Sequence, residues 1–301
     1  MGEVERARQE LHEELTATKE AVEAALEQYL PAAEGPAAAL GQAVRHSLRG
    51  GKRVRPLLVR LAASTWGLDA DDVVPTACAF ELFHTATLIH DDLPAIDNSD
   101  LRRGQPSCHA AFDEPTAILA GDALILAALR ALADQASRPA TPPQRVALVL
   151  GDFALAAQAV IAGEAVDITA EGLPPSAELL DFIHRNKTAA LLAGAARAGA
   201  LLAGAPAEEV ALLDEYAQGL GLLFQVTDDL LDVEGSAGEM GKPTGQDAQA
   251  GKQTYPAVYG VEEAHRRAQE LAGRLRELAQ KLPSRWELWQ ALVEVVLERR
   301  S

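Results

Sequence analysis

The chain has 301 residues, a formal net charge of −17 and only two cysteines. No basic patch offsets the negative charge, which argues against a nucleic-acid partner, and two cysteines without metal-ligand spacing argue against a disulfide framework or a zinc site. The N-terminus is charged, unlike a secretory signal, and no run reaches the roughly 18 uncharged apolar residues of a membrane span. We therefore expect one domain over residues 1–301, without a membrane span, in the reducing cytoplasm.

Helical periodicity runs along the chain, and no alternating strand pattern interrupts it. The segments rich in Ala and Leu often open on Pro, Asp or Ser, as helix starts commonly do. Helices are predicted at about residues 11–30, 36–48, 55–66, 72–90, 115–134, 142–169, 176–202, 206–233, 261–281 and 286–299. These segments are too long for an α/β plan, so the sequence predicts an all-α bundle of about ten helices.

Two aspartate clusters of similar design lie far apart in the chain, at or near the C-terminal ends of two predicted helices. Residues 90–97 read HDDLPAID, and residues 227–232 read TDDLLD. Basic residues follow both clusters, namely Arg102, Arg103, Lys242 and Lys252. Carboxylates with Lys and Arg within reach indicate an anion too highly charged to hold without metal, such as a diphosphate bridged by Mg²⁺.

The spacing within each cluster bears on whether its carboxylates can meet one ion. Asp228 and Asp232 are four residues apart, so they share one face of a helix. Asp91 and Asp97 are six apart and would not meet on a straight helix. Pro94 breaks the helix between them, so the chain can bulge and bring Asp97 back toward Asp91.

Other polar residues point to anion binding. Residues 49–56, RGGKRVRP, form a glycine turn that opens into a helix and carries Lys52 and Arg55 three residues apart. Glycines let a backbone approach a phosphate closely, and a guanidinium grips phosphate oxygens with two hydrogen bonds. Further candidates lie on predicted helices near the clusters, namely His84, Lys187, Thr188 and Gln225.

In combination, five segments resemble the trans-isoprenyl diphosphate synthases. They are GGKRVRP, LIHDDLPAIDNSDLRRGQPSCH, AILAGDALIL, HRNKTAALL and the stretch from FQVTDDLLDVEG to GKQTYP. The resemblance runs from about residue 40 to residue 256. It implies the isoprenoid synthase fold with a central active-site cavity, a homodimer, and a Mg²⁺-dependent head-to-tail condensation of an allylic diphosphate with isopentenyl diphosphate.

The resemblance also implies a role for each candidate residue. Three Mg²⁺ ions shared with the allylic diphosphate would be bound by Asp91, Asp97 and Asp228, with Asp92, Asp232 and Asp167 as further carboxylates. That diphosphate would be held by Arg102, Lys187, Lys242 and Lys252. Isopentenyl diphosphate would be held by Lys52, Arg55, His84 and Arg103. The allylic cation would be shielded by Lys187, Thr188 and Gln225.

One residue departs from the family pattern: Glu164 stands where members often carry Gln, and the sequence leaves open whether it faces the site.

Product length and reaction class are the remaining questions. Ala86 and Thr87 lie about one turn before Asp91 and are small, so we expect the growing chain to pass them, which favours geranylgeranyl over farnesyl diphosphate. The sequence leaves open whether a residue on another helix, for example Phe153, stops the growing chain.

Two other classes of protein are the alternatives. A terpene cyclase usually carries an Asn-Ser-Glu type of second motif, and a non-catalytic subunit tends to lose its aspartates. Neither alternative matches the two complete clusters.

Overall fold

The structure is a computed structural model that describes residues 2–234 and 251–299. The first part of the chain forms α1 (Glu3–Leu26), α2 (Ala38–Leu48), α3 (Val54–Thr65), α4 (Val74–Asp91), the short α5 (Cys108–Ala111) and α6 (Glu114–Gln135), with 3-10 turns at Glu27–Tyr29, Gly35–Ala37 and Ala70–Val73. The second part forms α7 (Pro143–Ala170), α8 (Ala177–Ile183), a π turn (His184–Ala189), α9 (Ala190–Ala203), α10 (Ala207–Glu234), α11 (Tyr255–Tyr259), α12 (Val261–Ala279) and α13 (Trp286–Leu297). The predicted all-α class is confirmed.

Helix α9 lies at the centre of the bundle because it is apolar except for Arg197, which pairs with Asp152 and Asp214. Almost all of its residues are buried, and α3, α7 and α10 pack around it. A helix that is apolar all round has no face to give to water and is buried. Helix α4 packs mainly against α6 and α3. Of the two helices that carry the aspartate clusters, α10 therefore packs directly on the central helix, whereas α4 reaches it mainly through α3.

The predicted helix at 176–202 is interrupted. Ser176 caps α8 by accepting a hydrogen bond from the backbone N–H of Leu179, and the six residues His184–Ala189 then form the π turn before α9 begins. A π turn inserts an extra residue into the helical ladder, and no Pro or Gly marks this one, so the sequence pattern does not reveal it.

A small hairpin that the sequence did not predict follows the first aspartate cluster. Strands β1 (Leu101–Arg102) and β2 (Gln105–Pro106) pair in antiparallel register, with Arg102 opposite Gln105. Its turn has positive φ at Arg103 (54°) and Gly104 (73°), as a tight two-residue hairpin requires. Two-residue strands are too short to show alternation in a sequence.

Two helices, α6 and α7, are long and apolar enough to cross a membrane by length and composition alone. This is weak evidence, because core helices of soluble proteins pass the same test. The prediction that no segment spans a membrane is therefore not confirmed by the structure.

Candidate active site

The first aspartate cluster folds back on itself at the end of α4. Asp91 is the last residue of the helix, and the backbone N–H of Asp97 donates to the Asp91 carbonyl oxygen at 2.9 Å. The N–H of Asn98 closes the same loop by donating to the Leu93 carbonyl oxygen at 3.0 Å. The expectation that the chain after Pro94 returns Asp97 to Asp91 is confirmed.

Asp92 is more buried than Asp91 and Asp97, the other aspartates of the cluster. It is 2% exposed, and both of its carboxylate oxygens accept hydrogen bonds from Arg102 Nε, at 3.0 and 3.1 Å. In this structure the pair joins the end of α4 to strand β1. Asp92 therefore orients Arg102, and of the two adjacent aspartates Asp91 is the one left for a ligand.

The second cluster, on α10, divides its carboxylates between different partners. Asp228 accepts a hydrogen bond from Arg299 Nη2 at 2.6 Å. Asp229 is buried and accepts from the Gln225 amide at 2.9 Å and from the backbone N–H of Tyr255 at 2.8 Å. Asp232, one turn beyond Asp228, is 3% exposed. Arg299 was not predicted as a site residue.

A third group of charges faces the first cluster from α7 and the π turn. Lys187 Nζ lies 2.7 Å from Glu164 Oε2 and 2.6 Å from Asp167 Oδ2. Lys252 Nζ lies 3.1 Å from Asp97 Oδ1 and 4.0 Å from Asp167 Oδ2. Glu164 therefore faces the site, which answers the question that the sequence left open. Lys242, the other predicted diphosphate ligand, lies outside the described residues.

The surroundings of Asp91 disfavour its negative charge. Burial, together with the charge of Glu164, raises the pKa of Asp91 to about 7, although Lys187 opposes the shift. For Lys187, burial lowers the pKa, but Asp167 and Glu164 outweigh it and leave that pKa raised. The carboxylates thus exceed the local cations, and a ligand that brings positive charge would relieve them.

This set of carboxylate oxygens suits Mg²⁺ ions whose coordination shell is completed by a substrate. Within residues 2–234 and 251–299, no three acidic, histidine or cysteine side chains converge closely enough to hold a metal by themselves. Mg²⁺ commonly takes one or two protein carboxylates and fills its remaining positions with water and substrate phosphate oxygens. Asp91, with its raised pKa and its place at the open end of α4, offers a carboxylate of that kind.

A chain of hydrogen bonds links the π turn to α10. Thr188 Oγ1 donates to Gln225 Oε1 at 2.8 Å, and the Gln225 amide donates in turn to Asp229. His184 is buried beside the same carboxylate and stacks on Tyr255, with ring centroids 5.3 Å apart. The structure thus brings the predicted pair Thr188 and Gln225 together. It adds Asp229, His184 and Tyr255, which sequence reasoning missed, as the groups that orient them.

The glycine turn of residues 49–56 rests on a buried ion pair that the sequence did not predict. Arg53 has a left-handed φ of 55°, and its Nη1 lies 2.6 Å from Glu81 Oε1, with both side chains at most 3% exposed. A Cβ on Gly51 would lie 2.9 Å from that Glu81 oxygen and nearer still to Arg53. Glycine at this position therefore leaves room for the ion pair between the turn and α4.

The side chains predicted to hold isopentenyl diphosphate form a cluster of positive charge. Burial lowers the pKa of Arg55 to about 10, with Arg103 contributing. Burial and then the neighbouring Arg55 lower the pKa of His84 well below its usual value, so His84 is neutral. Burial and the charge of Arg299 lower the pKa of Lys52, whereas Asp228 raises it. This cluster, which we call the cationic cradle, therefore adjoins the second aspartate cluster and favours an anion.

An aromatic group lies beneath the first cluster. Ala86 is fully buried and Thr87 is partly exposed, one turn before Asp91. One further turn down α4, Phe83 packs edge-to-face on Phe153 of α7, with ring centroids 5.5 Å apart. Phe80 contacts the same ring at 5.2 Å.

Comparisons with known proteins agree with this arrangement. The family model for polyprenyl synthetases matches residues 37–293. A farnesyl diphosphate synthase of Geobacillus stearothermophilus is 44% identical over 250 residues, which are 82% of this chain and 84% of that protein. Large subunit 1 of a chloroplastic heterodimeric geranylgeranyl pyrophosphate synthase of Arabidopsis thaliana is 45% identical over 242 residues, 78% of this chain. The matched region is 65% of that relative, just under two thirds of its length.

Among solved structures, a geranyltransferase from Helicobacter pylori complexed with magnesium and isoprenyl diphosphate superposes with a TM-score of 0.79. It is 29% identical, and the match covers 94% of this chain and 96% of that one. The relatives include synthases of both geranylgeranyl and farnesyl diphosphate, so they do not fix the product length. They do fix the family: this chain belongs to the polyprenyl synthetases and is a short-chain prenyltransferase, an isoprenyl diphosphate synthase.

Proposed function

We propose that this chain joins an allylic diphosphate head-to-tail to isopentenyl diphosphate with Mg²⁺ as cofactor, releases diphosphate, and makes geranylgeranyl diphosphate. Farnesyl diphosphate is the second candidate product. The observation that carries the proposal is that two unlike anion sites lie near each other. One is rich in carboxylates and suits a diphosphate that arrives with metal, and the other is the cationic cradle, which suits a diphosphate without metal. Burial lowers the pKa of Lys52, which belongs to the cradle, and the charge of Asp228 opposes this shift, so the two sites are neighbours.

At the carboxylate-rich site, the proposal assigns the allylic diphosphate to Arg102, Lys187 and Lys252, together with Lys242. Three Mg²⁺ ions on Asp91, Asp97 and Asp228 would supply electrostatic stabilisation of the departing diphosphate. The basic side chains donate hydrogen bonds to its oxygens as the allylic C–O bond breaks, and such donors act on charge as it develops.

The allylic cation forms beside the link between the π turn and α10. Thr188 and Gln225 present their oxygens there, and Asp229 holds Gln225 by its amide so that it cannot rotate freely. The double bond of isopentenyl diphosphate, held in the cationic cradle, attacks the cation. A proton then leaves the product, and the released diphosphate accepts it. No covalent enzyme intermediate is required.

The proposed product length follows from the layer beneath Asp91. Ala86 and Thr87 are small and place no ring at the first turn, whereas Phe83 and Phe153 place an aromatic layer one turn lower. A chain that passes the first level and stops at the second is longer than the shortest products. This arrangement favours geranylgeranyl diphosphate.

We further propose that the enzyme is a cytoplasmic homodimer with one domain per chain. The single-domain organisation is supported by a hydrophobic core that includes residues from α1 to α13. Helices α6 and α7 carry exposed leucine side chains: Leu126 and Leu155 are each 67% exposed, and Leu148 is 61% exposed. Apolar faces of this kind mark contacts with protein or lipid, and a second copy would cover this one. Light scattering on the purified protein measures the mass directly, and a monomer would contradict the dimer.

The test of the function is an assay of isopentenyl diphosphate with dimethylallyl, geranyl or farnesyl diphosphate, with Mg²⁺ or with EDTA, and mass spectrometry of the products. We expect prenyl diphosphates in Mg²⁺ only. A terpene cyclase would convert an allylic diphosphate without consuming isopentenyl diphosphate, and a non-catalytic subunit would yield no product. Either result would contradict the proposal. Asp91→Ala is the inactive control.

A further inference from the structure

Glu164 occupies an unusual place for a glutamate, on the face of α7 that looks into the site. Its side chain is only 13% exposed, and its Oε2 lies 2.7 Å from Lys187 Nζ. Among the described residues, its other oxygen, Oε1, is buried and accepts no hydrogen bond. A buried carboxylate oxygen without a donor is costly. The arrangement therefore calls for a function that offsets the cost.

Lys187 is held by two carboxylates on successive turns of α7. Asp167 Oδ2 lies 2.6 Å from its ammonium nitrogen, and Glu164 Oε2 lies 2.7 Å from the same atom. An ammonium has three donors, and two of them are directed at these carboxylates. The three side chains together carry a net charge of about −1 when the carboxylates are ionised. The positive charge of Lys187 is therefore compensated by its two carboxylates. A diphosphate that approaches without metal encounters an excess of negative charge there.

We propose that Glu164 is a positioning residue that restrains Lys187 and makes its grip on the allylic diphosphate conditional on a divalent cation. This inference rests on the proposed function, because it concerns the same diphosphate site. With the cation present, the added positive charge offsets Glu164, and Lys187 can turn a donor to the diphosphate. Glutamine at the same position would still accept a hydrogen bond from Lys187 but would add no charge, so Lys187 would be available to the anion alone.

The test compares the affinity for inorganic diphosphate, measured by calorimetry in EDTA and in Mg²⁺, between the wild type and Glu164→Gln. In EDTA we expect the variant to bind at least about fivefold more tightly, the lower end of ordinary coupling free energies. In Mg²⁺ we expect the two proteins to agree within about twofold, since the cation then offsets Glu164. The gain in affinity that Mg²⁺ brings is therefore smaller in the variant.

Two further variants separate this role from a general effect of charge or packing. Glu164→Asp keeps the charge and is expected to keep the larger Mg²⁺ gain of the wild type. Glu178→Gln removes one negative charge from an exposed position on α8 and is expected to change neither affinity. Thermal denaturation of each variant reports whether it is folded.

The outcomes are decisive. An equal Mg²⁺ gain in the wild type and Glu164→Gln overturns the inference, and so does failure of both proteins to bind diphosphate in EDTA up to millimolar concentration. If the wild type converts substrates but Glu164→Gln leaves the Mg²⁺ gain unchanged, the inference fails and the proposed function stands. If the wild type makes no prenyl diphosphate, the proposed function itself fails.

Discussion

Gly163 lies directly against the backbone of Lys187, so that α7 and the π turn touch without an intervening side chain. A Cβ on Gly163 would come within 2.8 Å of Lys187 Cα and nearer still to its nitrogen. The next residue, Glu164, and Asp167 one turn later then flank the Lys187 ammonium. The glycine of this segment is therefore what allows the lysine and its two carboxylates to meet.

Gly163→Ala is expected to separate α7 from the π turn and to displace Lys187. Overpacking of this kind costs roughly 1–3 kcal/mol of unfolding free energy. Relative to the wild type, we expect a lower melting temperature. We also expect the KM for the allylic diphosphate to rise more than the KM for isopentenyl diphosphate. Gly151→Ala on the same helix is the matched control, because a Cβ there meets no atom within 4 Å. Alanine at Gly151 is expected to stabilise the helix by roughly 0.5–1 kcal/mol. Equal effects of the two substitutions would contradict the close approach.

Asp91→Asn is expected to stabilise the metal-free protein while it abolishes catalysis. The pKa of Asp91 is raised to about 7, so this carboxyl destabilises the folded state progressively as the pH rises from about 4 through 7. Asparagine has no such charge, and at pH 8 we expect a gain of the order of 1–3 kcal/mol. Denaturation in EDTA at several pH values measures it, and the gain should shrink toward pH 4. Asp122→Asn, at an exposed position, is the control. A gain that does not depend on pH would contradict this origin.

The loop at Asp97 could be predicted because its cause is local. Pro94 ends the helix, and the following residues have only a short path back to Asp91. By contrast, Arg299 lies 71 residues from Asp228, and nothing in the local pattern of either segment pairs them. The ion pair of Arg53 with Glu81 escaped prediction for the same reason. Periodicity shows which residues share a helix face, but the partner across two helices depends on how those helices pack.

Arg55→Ala is expected to weaken the binding of isopentenyl diphosphate more than the binding of the allylic substrate. Arg55 belongs to the cationic cradle, and a charge-assisted phosphate contact is worth roughly 1.5–3 kcal/mol. The KM for isopentenyl diphosphate should therefore rise about tenfold to a hundredfold. Steady-state kinetics with each substrate varied in turn measures the two effects. Arg49→Ala, an exposed arginine of the same turn, is the control with the same loss of charge. A rise confined to the allylic KM would show that the two sites are assigned in reverse.

Product length is expected to respond to substitutions in the layers beneath Asp91. Ala86→Tyr places a ring one turn below the metal-binding end of α4, so the main product should shorten from geranylgeranyl to farnesyl diphosphate or less. Thr87→Tyr tests the same level at a partly exposed position that tolerates bulk better. Phe83→Ala removes one ring of the lower layer and should lengthen the product. Ala24→Tyr, exposed on α1, is the control for bulk alone. Mass spectrometry identifies the products. A mainly farnesyl product whose length no substitution changes would show that other residues limit the chain length.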